Sequence, residues 1–295
     1  MRVLVTGGTG FIGEALIPAL LDKGHSVIVL SRQSSPSAIA GVAYIQQLEQ
    51  ITKAVDVVIN LAGASLAGKR WNRAYKEEIV ASRVALTREL GNYFSAAEQR
   101  PSIWLNASAI GYYGPRADEE LSEDSSSGEG FSAQLCRDWE ASAVEAAGDA
   151  RLCLMRLGVV LDEGGGAYAQ MAQPFKMGIA NWLGDGEQWL SWVYRDDVVS
   201  AFCFALENDK LQGPVNVTAP QPVSSRGFCL AMREVHRTLV AIPMPGFVMR
   251  AMVGEMADEL LLTGQRVIPA ALLAAGFSFS CPNIDDALRQ IEDPR

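Results

Sequence analysis

Histidine and cysteine are scarce in this 295-residue sequence, and what there is lies scattered. The two histidines, His25 and His236, stand far apart, and no Cys-x-x-Cys pair occurs. No metal site is therefore expected. The five cysteines, Cys136, Cys153, Cys203, Cys229 and Cys281, are odd in number and unevenly spaced. That pattern points to reduced thiols in a cytoplasm, not to a disulfide frame. Positive charge is also short: 25 Lys and Arg against 34 Asp and Glu leave a net charge of −9. A nucleic-acid partner needs a basic face, so that class is excluded. No apolar run reaches the length of a membrane span, and the chain opens in an apolar strand with no basic leader before it. Neither a signal peptide nor a membrane contact is expected, and the location expected is cytoplasmic. Internal repeats and low-complexity stretches are missing as well.

What remains is an ordinary globular composition, 49% apolar and 20% charged, enough to bury a large core. Strand and helix signals alternate through the first two thirds. Strands are predicted at Arg2–Thr6, Ser26–Leu30, Val42–Ile45, 55–62, 103–107 and 151–160. Helices are predicted over 14–23, about 72–99 and Phe131–Ala147, with a Ser/Pro/Ala-rich loop over 34–41. This rhythm predicts a Rossmann-type, doubly wound parallel α/β sheet. From Gly164 the rhythm changes to glycine- and tryptophan-rich loops. The expected division is a nucleotide-binding domain over 1–163, rejoined by parts of 190–220, and a smaller, discontinuous α+β substrate lobe over 164–295. Its tail, from about 243, is expected to be a helical extension.

Between the first strand and the first helix stands Thr6-Gly-Gly-Thr-Gly-Phe-Ile-Gly13. Gly7, Gly10 and Gly13 have the spacing of a dinucleotide turn. The first glycine makes the bend, the second admits a pyrophosphate, and the third lets the helix pack close. The free N–H groups and dipole of the helix start then hold the phosphates. Gly7, Gly8, Thr9, Gly10, Phe11, Ile12 and Gly13 are the expected cradle. An NAD site wants a carboxylate at the end of the second strand, but no acidic residue occurs between Asp22 and Glu49. Ser31 and Arg32 stand there instead, and they suit a 2′-phosphate, so NADP(H) is expected over NAD(H). Ligands in such sheets bind beyond the strand ends. Leu61, Ala62, Gly63, Ala107, Ser108 and Arg156 complete the expected cofactor site.

The glycine loop, Asn60-Leu-Ala-Gly63, Tyr112-Tyr-Gly114 and Arg195-Asp-Asp197 together resemble the extended short-chain dehydrogenase/reductases, which include sugar-nucleotide epimerases and dehydratases. Lys69-Arg-Trp71, Ser82-Arg83, Gly111-Tyr-Tyr-Gly114, Trp139-Glu140, Arg156-Leu-Gly-Val-Val-Leu161, Gly254-Glu-Met and Gly264-Gln-Arg are similar, end to end, to an atypical "epimerase family" subgroup. The resemblance implies the fold and an NADP-type cofactor.

One part of that resemblance is missing. The superfamily's chemistry uses a Tyr-x-x-x-Lys pair on one helix face, where the lysine lowers the tyrosine's pKa. The residues four positions after the seven tyrosines are Leu48, Ile79, Ala97, Arg116, Ala117, Ala172 and Val198, and none is lysine. In the segment where the pair belongs, either Phe131 and Leu135 or Ser132 and Cys136 take its place. Two readings follow. In one, the chain is an oxidoreductase or epimerase of a small carbonyl/hydroxyl or sugar-nucleotide-like substrate, and its acid/base comes from Ser108, Tyr112 or Cys136, the thiol being activated by Arg137 or the cofactor ring. In the other, it is a catalytically silent NADPH-binding regulatory or redox-sensing protein. The substrate is left unnamed, and a monomer and a homodimer fit equally.

Overall fold

The computed structural model of the chain describes residues 1–33 and 39–292; residues 34–38 of the expected loop at 34–41, and the last three of the tail, lie outside the described residues. In chain order the first half runs β1 (Arg2–Thr6), α1 (Gly13–Asp22), β2 (Ser26–Leu30), β3 (Val42–Ile45), β4 (Val57–Asn60), α2 (Arg73–Val80), α3 (Leu86–Ser95), β5 (Ile103–Ala109), β6 (Glu120–Leu121), α4 (Phe131–Ala147) and β7 (Arg151–Leu157). The second half runs β8 (Val159–Leu161), α5 (Tyr168–Lys176), β9 (Ile179–Leu183), β10 (Trp189–Leu190), β11 (Trp192–Tyr194), α6 (Arg195–Glu207), β12 (Gly213–Val217) and β13 (Val223–Ser224). It continues through α7 (Ser225–Val235), β14 (Val240–Met244), α8 (Gly246–Val253), β15 (Arg266–Val267), α9 (Ala270–Ala274) and α10 (Ile284–Glu292).

Among the described residues, seven strands form one sheet in the order β12-β7-β5-β4-β1-β2-β3. Every pairing in it is parallel. The order reverses between β1 and β4, and that reversal opens the crevice in which such sheets bind ligands. The central strands are apolar because helices cover both faces; all four residues of β4 are buried. On one face Leu16, Ile17 and Leu20 of α1 pack with Val198, Phe202 and Leu206 of α6. On the other, Leu90 and Phe94 of α3 pack on Leu4, Val58 and Trp104. A second core joins α5, α7 and α10 around Tyr168, Phe175, Trp192 and Met232.

Four boundaries differ from expectation; the first is that the strand expected over 151–160 breaks at Gly158 into β7 and β8, the latter pairing with β11 outside the main sheet. The strand expected over 55–62 pairs only across Val57–Asn60, because Leu61 turns away beneath the glycine loop. The helix expected over 72–99 is α2 and α3 joined by a π-helical turn, Ala81–Ala85. The tail is not helical at its start: Pro243 lies in β14, which pairs parallel with β9. Proline has no N–H for a ladder and is at home on such an edge strand.

Two carboxylate contacts are among those that tie the extension back. Asp197, in the first turn of α6, accepts from the N–H groups of Ser280 at 2.7 Å and Cys281 at 3.0 Å. Glu259 reaches the start of α4 and accepts from the N–H groups of Phe131 and Ser132, both at 3.1 Å. A carboxylate satisfies orphan donors and the dipole there together.

Candidate functional site

The glycine loop is wedged between strand ends. Gly7 has φ +70°, and a Cβ on it would lie 2.7 Å from the Leu61 carbonyl. A Cβ on Gly13 would lie 2.5 Å from both Gly7 O and Gly8 Cα. At Gly10 the only atom within 4 Å of a Cβ would be Gly7 O, at 3.2 Å. Two of the glycines thus pack backbone on backbone, and the third faces open space. Below them, Thr6 donates to Asn60 at 2.6 Å, and Asn60 donates to Thr87 and Asn106 at 2.9 and 2.7 Å. These bonds tie together the ends of β1, β4 and β5. A dinucleotide's pyrophosphate fits this cradle: the Gly10 N–H closes the turn on Gly7 O at 3.0 Å, while the N–H groups of Phe11, Ile12 and Gly13, at the start of α1, make no backbone bond among the described residues.

At the end of β2, Ser31 is buried and accepts from the Gln33 N–H at 3.1 Å. Arg32 is exposed. Beside them Gly8, Thr9, Glu14, Gln33, Ile39 and Tyr44 line a cavity of about 220 Å³. A ribose bound there meets no carboxylate from the end of β2 among the described residues.

Two of the three expected catalytic residues, Ser108 and Tyr112, meet around the buried Arg156. Ser108, at the end of β5, donates to Glu140 at 2.6 Å. Arg156, on neighbouring β7, forks onto the same carboxylate at 2.8 and 2.9 Å. Its Nη1 donates to the Tyr113 hydroxyl at 3.0 Å, and that hydroxyl donates to Asn216 at 2.7 Å. The Tyr112 ring covers the guanidinium, 3.5 Å from Cζ. Ser108 and Arg156 are each 2% exposed. Arg156 was expected to face the cofactor, but its guanidinium is spent on Glu140 and Tyr113, inside the sheet layer. Burial pushes the Tyr113 hydroxyl above its ordinary value, and the partly opposing Arg156 charge does not restore it.

Cys136 is not an activated thiol. Burial first, and the Glu140 charge second, push it up to about 12, while its Sγ donates to the Ala109 carbonyl at 3.6 Å. Arg137, expected beside it, turns away to Gly128 O and Gln134, both at 2.6 Å. All five cysteines are buried. Burial pushes each thiol up, Cys153 to about 11. At pH 8 the native protein is thus expected to give no fast reaction with a disulfide reagent, and five thiols after denaturation. An unfolded thiol ionises near pH 9, whereas the folded Cys136 and Cys153 keep their protons. Stability is therefore expected to fall above pH 9, by about 1.4 kcal/mol per pH unit for each of these two thiols. Denaturant titrations at pH 8 and pH 10 check this, and an unchanged midpoint contradicts it.

Helix α4 settles which side chains stand in for the missing pair. Phe131 and Leu135 pack into a hydrocarbon cluster with Trp71, Tyr75, Ile79 and Met256. Ser132 and Cys136 face the turn at Gly111 instead. The Ser132 hydroxyl is buried and has no hydrogen-bond partner among the described residues. Residues 132, 136 and 140 stand four apart, so they share one face. Glu140 was not among the expected site residues; a carboxylate on that face, among small buried residues, is the signal by which it could have been found. Asn216, Glu123 and Glu259 gave no such signal, because they arrive from distant segments.

The NAD dependent epimerase/dehydratase family model matches residues 3–218, and a domain of unknown function, DUF1731, matches 244–291. The chain is 37% identical over 302 residues to the Arabidopsis thaliana protein named "Epimerase family protein SDR39U1 homolog, chloroplastic", covering 99% of this chain and 86% of that one. It is 34% identical to the Homo sapiens epimerase family protein SDR39U1, over 99% of both chains. A crystal structure of the human protein (isoform 2) with NADPH superposes with a TM-score of 0.92, at 34% identity and over 100% of both chains. A nucleoside-diphosphate sugar epimerase from Corynebacterium glutamicum superposes with a TM-score of 0.79, at 30% identity, over 99% of this chain and 58% of that one.

Proposed function

The chain belongs to the NAD dependent epimerase/dehydratase family, and on that premise we propose that it binds NADP(H) and acts as an oxidoreductase or epimerase on a small carbonyl/hydroxyl or sugar-nucleotide-like substrate, with an acid/base other than the tyrosine–lysine pair. The observation that carries the cofactor is the wedged loop, with Gly7 and Gly13 closed on backbone and Gly10 open. The N–H groups of Phe11, Ile12 and Gly13, at the start of α1, hold the pyrophosphate, which Gly10 lets approach. Ser31 and Arg32 take the 2′-phosphate. Leu61, Ala62, Gly63 and Ala107 border the rest of the site. The human relative crystallised with NADPH supports the same choice. When bound, the nicotinamide supplies or accepts a hydride.

The substrate lobe of this reading is residues 164–295, of which β9, β13, α7, β14 and α8 are the part to which the substrate is assigned. That part lies outside the main sheet and carries the exposed side chains of Leu239, Ile242 and Phe247. No helix among the described residues is long and apolar enough to cross a membrane.

A specific observation favours the second reading, a silent NADPH-binding regulator. Ser108, Tyr113, Glu140 and Arg156 satisfy one another, and Cys136 holds its proton. Tyr112 is the one expected catalytic residue whose hydroxyl makes no hydrogen bond among the described residues.

Arg32→Ala is expected to weaken NADPH binding by about ten- to a hundredfold, the worth of a charge-assisted bond. NADH binding should stay within about twofold, since no group of the 2′-hydroxyl class is removed. Fluorescence titration of the reduced nicotinamide reads both. Equal losses for the two cofactors reject the 2′-phosphate assignment. Oxidation of bound NADPH by a panel of aldehydes, ketones and keto acids separates the two readings; a silent protein oxidises none.

A further inference from the structure

Arg83 is a cation without a counter-ion among the described residues. It lies on the π-helical turn between α2 and α3. Such turns re-aim side chains and recur at functional sites. Its guanidinium is laid on Gly63, where a Cβ would come within 2.8 Å of Cζ. The other side faces the Trp139 ring, 5.2 Å from Cζ. Nη1 donates to Ile79 O at 3.3 Å and to Ser82 at 3.5 Å. Nε and Nη2 donate to nothing among the described residues. Burial lowers the Arg83 pKa, and the groups that raise it again are Cys136 and Tyr75, not a carboxylate. A half-buried guanidinium without an anion is costly to keep. Its open edge, Nε with Nη2, matches two oxygens in a plane, the fork that grips a carboxylate or phosphoryl group.

Ser132 adds an independent observation. It is 8% exposed, and its buried hydroxyl has no partner. Buried hydroxyls are nearly always bonded, so this one lacks a group that the protein does not supply. Ser132, Cys136 and Trp139 are spaced i, i+4 and i+7 along α4, which puts them on one face. Arg83 meets that face at Trp139 and acts on the Cys136 thiol.

The positions trace a line. Gly7 abuts Leu61 and Ala62, Gly63 abuts Arg83, Arg83 faces Trp139, and the α4 face leads on to Ser132. We propose that the open edge of Arg83 is a seat for an anionic oxygen pair of the substrate, a carboxylate or phosphoryl group, beside the nicotinamide end of the cofactor site, with the Ser132 hydroxyl, about two turns along the same face of α4, as a second polar contact for the bound molecule. The seat rests on the NADP(H) reading and narrows the substrate class to acid-bearing carbonyl or hydroxyl compounds. The cofactor's own phosphates have other holders, the start of α1 and the Ser31–Arg32 corner. Arg83 thus brings from α2–α3 a positive charge to the face where the superfamily's lysine is missing.

Oxalate and inorganic phosphate are the probes, titrated at constant ionic strength against the full chain, alone and saturated with NADPH. Tryptophan fluorescence and thermal shift report binding, and Trp139 lies against the guanidinium. Saturable binding of either anion is expected in the unmodified protein. Arg83→Gln is expected to lower that affinity about ten- to a hundredfold, with NADPH affinity kept within about twofold. Ser132→Ala is expected to lower anion affinity about threefold or more without loss of folding, since no protein bond is removed. Unchanged anion affinity in Arg83→Gln overturns the proposal. So does a large loss of NADPH affinity in a variant whose parent binds neither anion, because Arg83 then serves the cofactor's phosphates. If the unmodified protein binds anions and not NADPH, the cofactor reading fails and the seat stands. If Arg83→Gln does not fold, oxalate protection of Arg83 against phenylglyoxal, mapped by mass spectrometry, decides; no protection rejects the seat.

Discussion

Replacing Glu140 by alanine is expected to cost about 3–5 kcal/mol and to lower the melting temperature by on the order of 10 °C. The Glu140 carboxylate is buried and accepts three bonds, two from Arg156 and one from Ser108. Without it, Arg156 stays charged, at 2% exposure, with the Tyr113 hydroxyl and the Glu123 carbonyl as its hydrogen-bond acceptors among the described residues and the Tyr112 ring over it, and no carboxylate. Burial opposes that charge, and the Glu140 bonds more than offset the penalty, so the guanidinium pKa stands above its ordinary value. The loss is therefore mostly the exposure of an unpaired buried charge, not the net worth of the pair. The double variant Glu140→Ala with Arg156→Met is expected to recover at least half of it, because both charges leave together. Denaturant melts of the single and double variants read this directly. A double variant no more stable than Glu140→Ala contradicts the charge argument.

Gly13→Ala is expected to lower NADPH affinity by about a hundredfold or more, since displacing a binding group by about 1 Å has effects of that size. The added carbon would stand 2.5 Å from Gly7 O and Gly8 Cα, both backbone atoms, so the loop itself must shift. The overpacking is expected to cost about 1–3 kcal/mol of stability as well. Gly10→Ala is the informative partner. Its carbon meets only Gly7 O, at 3.2 Å, and otherwise fills the space left for the pyrophosphate. That variant is expected to keep its stability within about 0.5 kcal/mol and still lose the cofactor. Loss of stability in both, or of binding in neither, contradicts the division between a packing glycine and an approach glycine.

The order of β1 to β5 and the glycine turn were legible in the sequence because they are local. A run such as Val57–Asn60 or a glycine every third residue needs no distant partner to be recognised. The strand-end groups that hold the site together were less legible. Asn216 bonds Tyr113, and Glu259 caps α4 from 127 residues away. Neither spacing nor periodicity marks such long-range contacts. Cys136 and Arg137 show the same limit. Adjacency in sequence suggested an activated thiol, but neighbours on a helix are about 100° apart, and the two side chains point to different partners. Ser132 and Arg83 were visible as residues, while the unpartnered Ser132 hydroxyl and the want of a carboxylate beside Arg83, among the described residues, are properties of the folded chain alone.

Calorimetric titration of the unmodified protein with NADPH, then with NADH, tests the central claim most directly. One site per chain is expected, with NADPH bound about tenfold more tightly or better, the difference a single 2′-phosphate contact makes. Equal affinity for the two would contradict the role of Ser31 and Arg32, and no heat with either would contradict a working dinucleotide cradle at Gly7–Gly13.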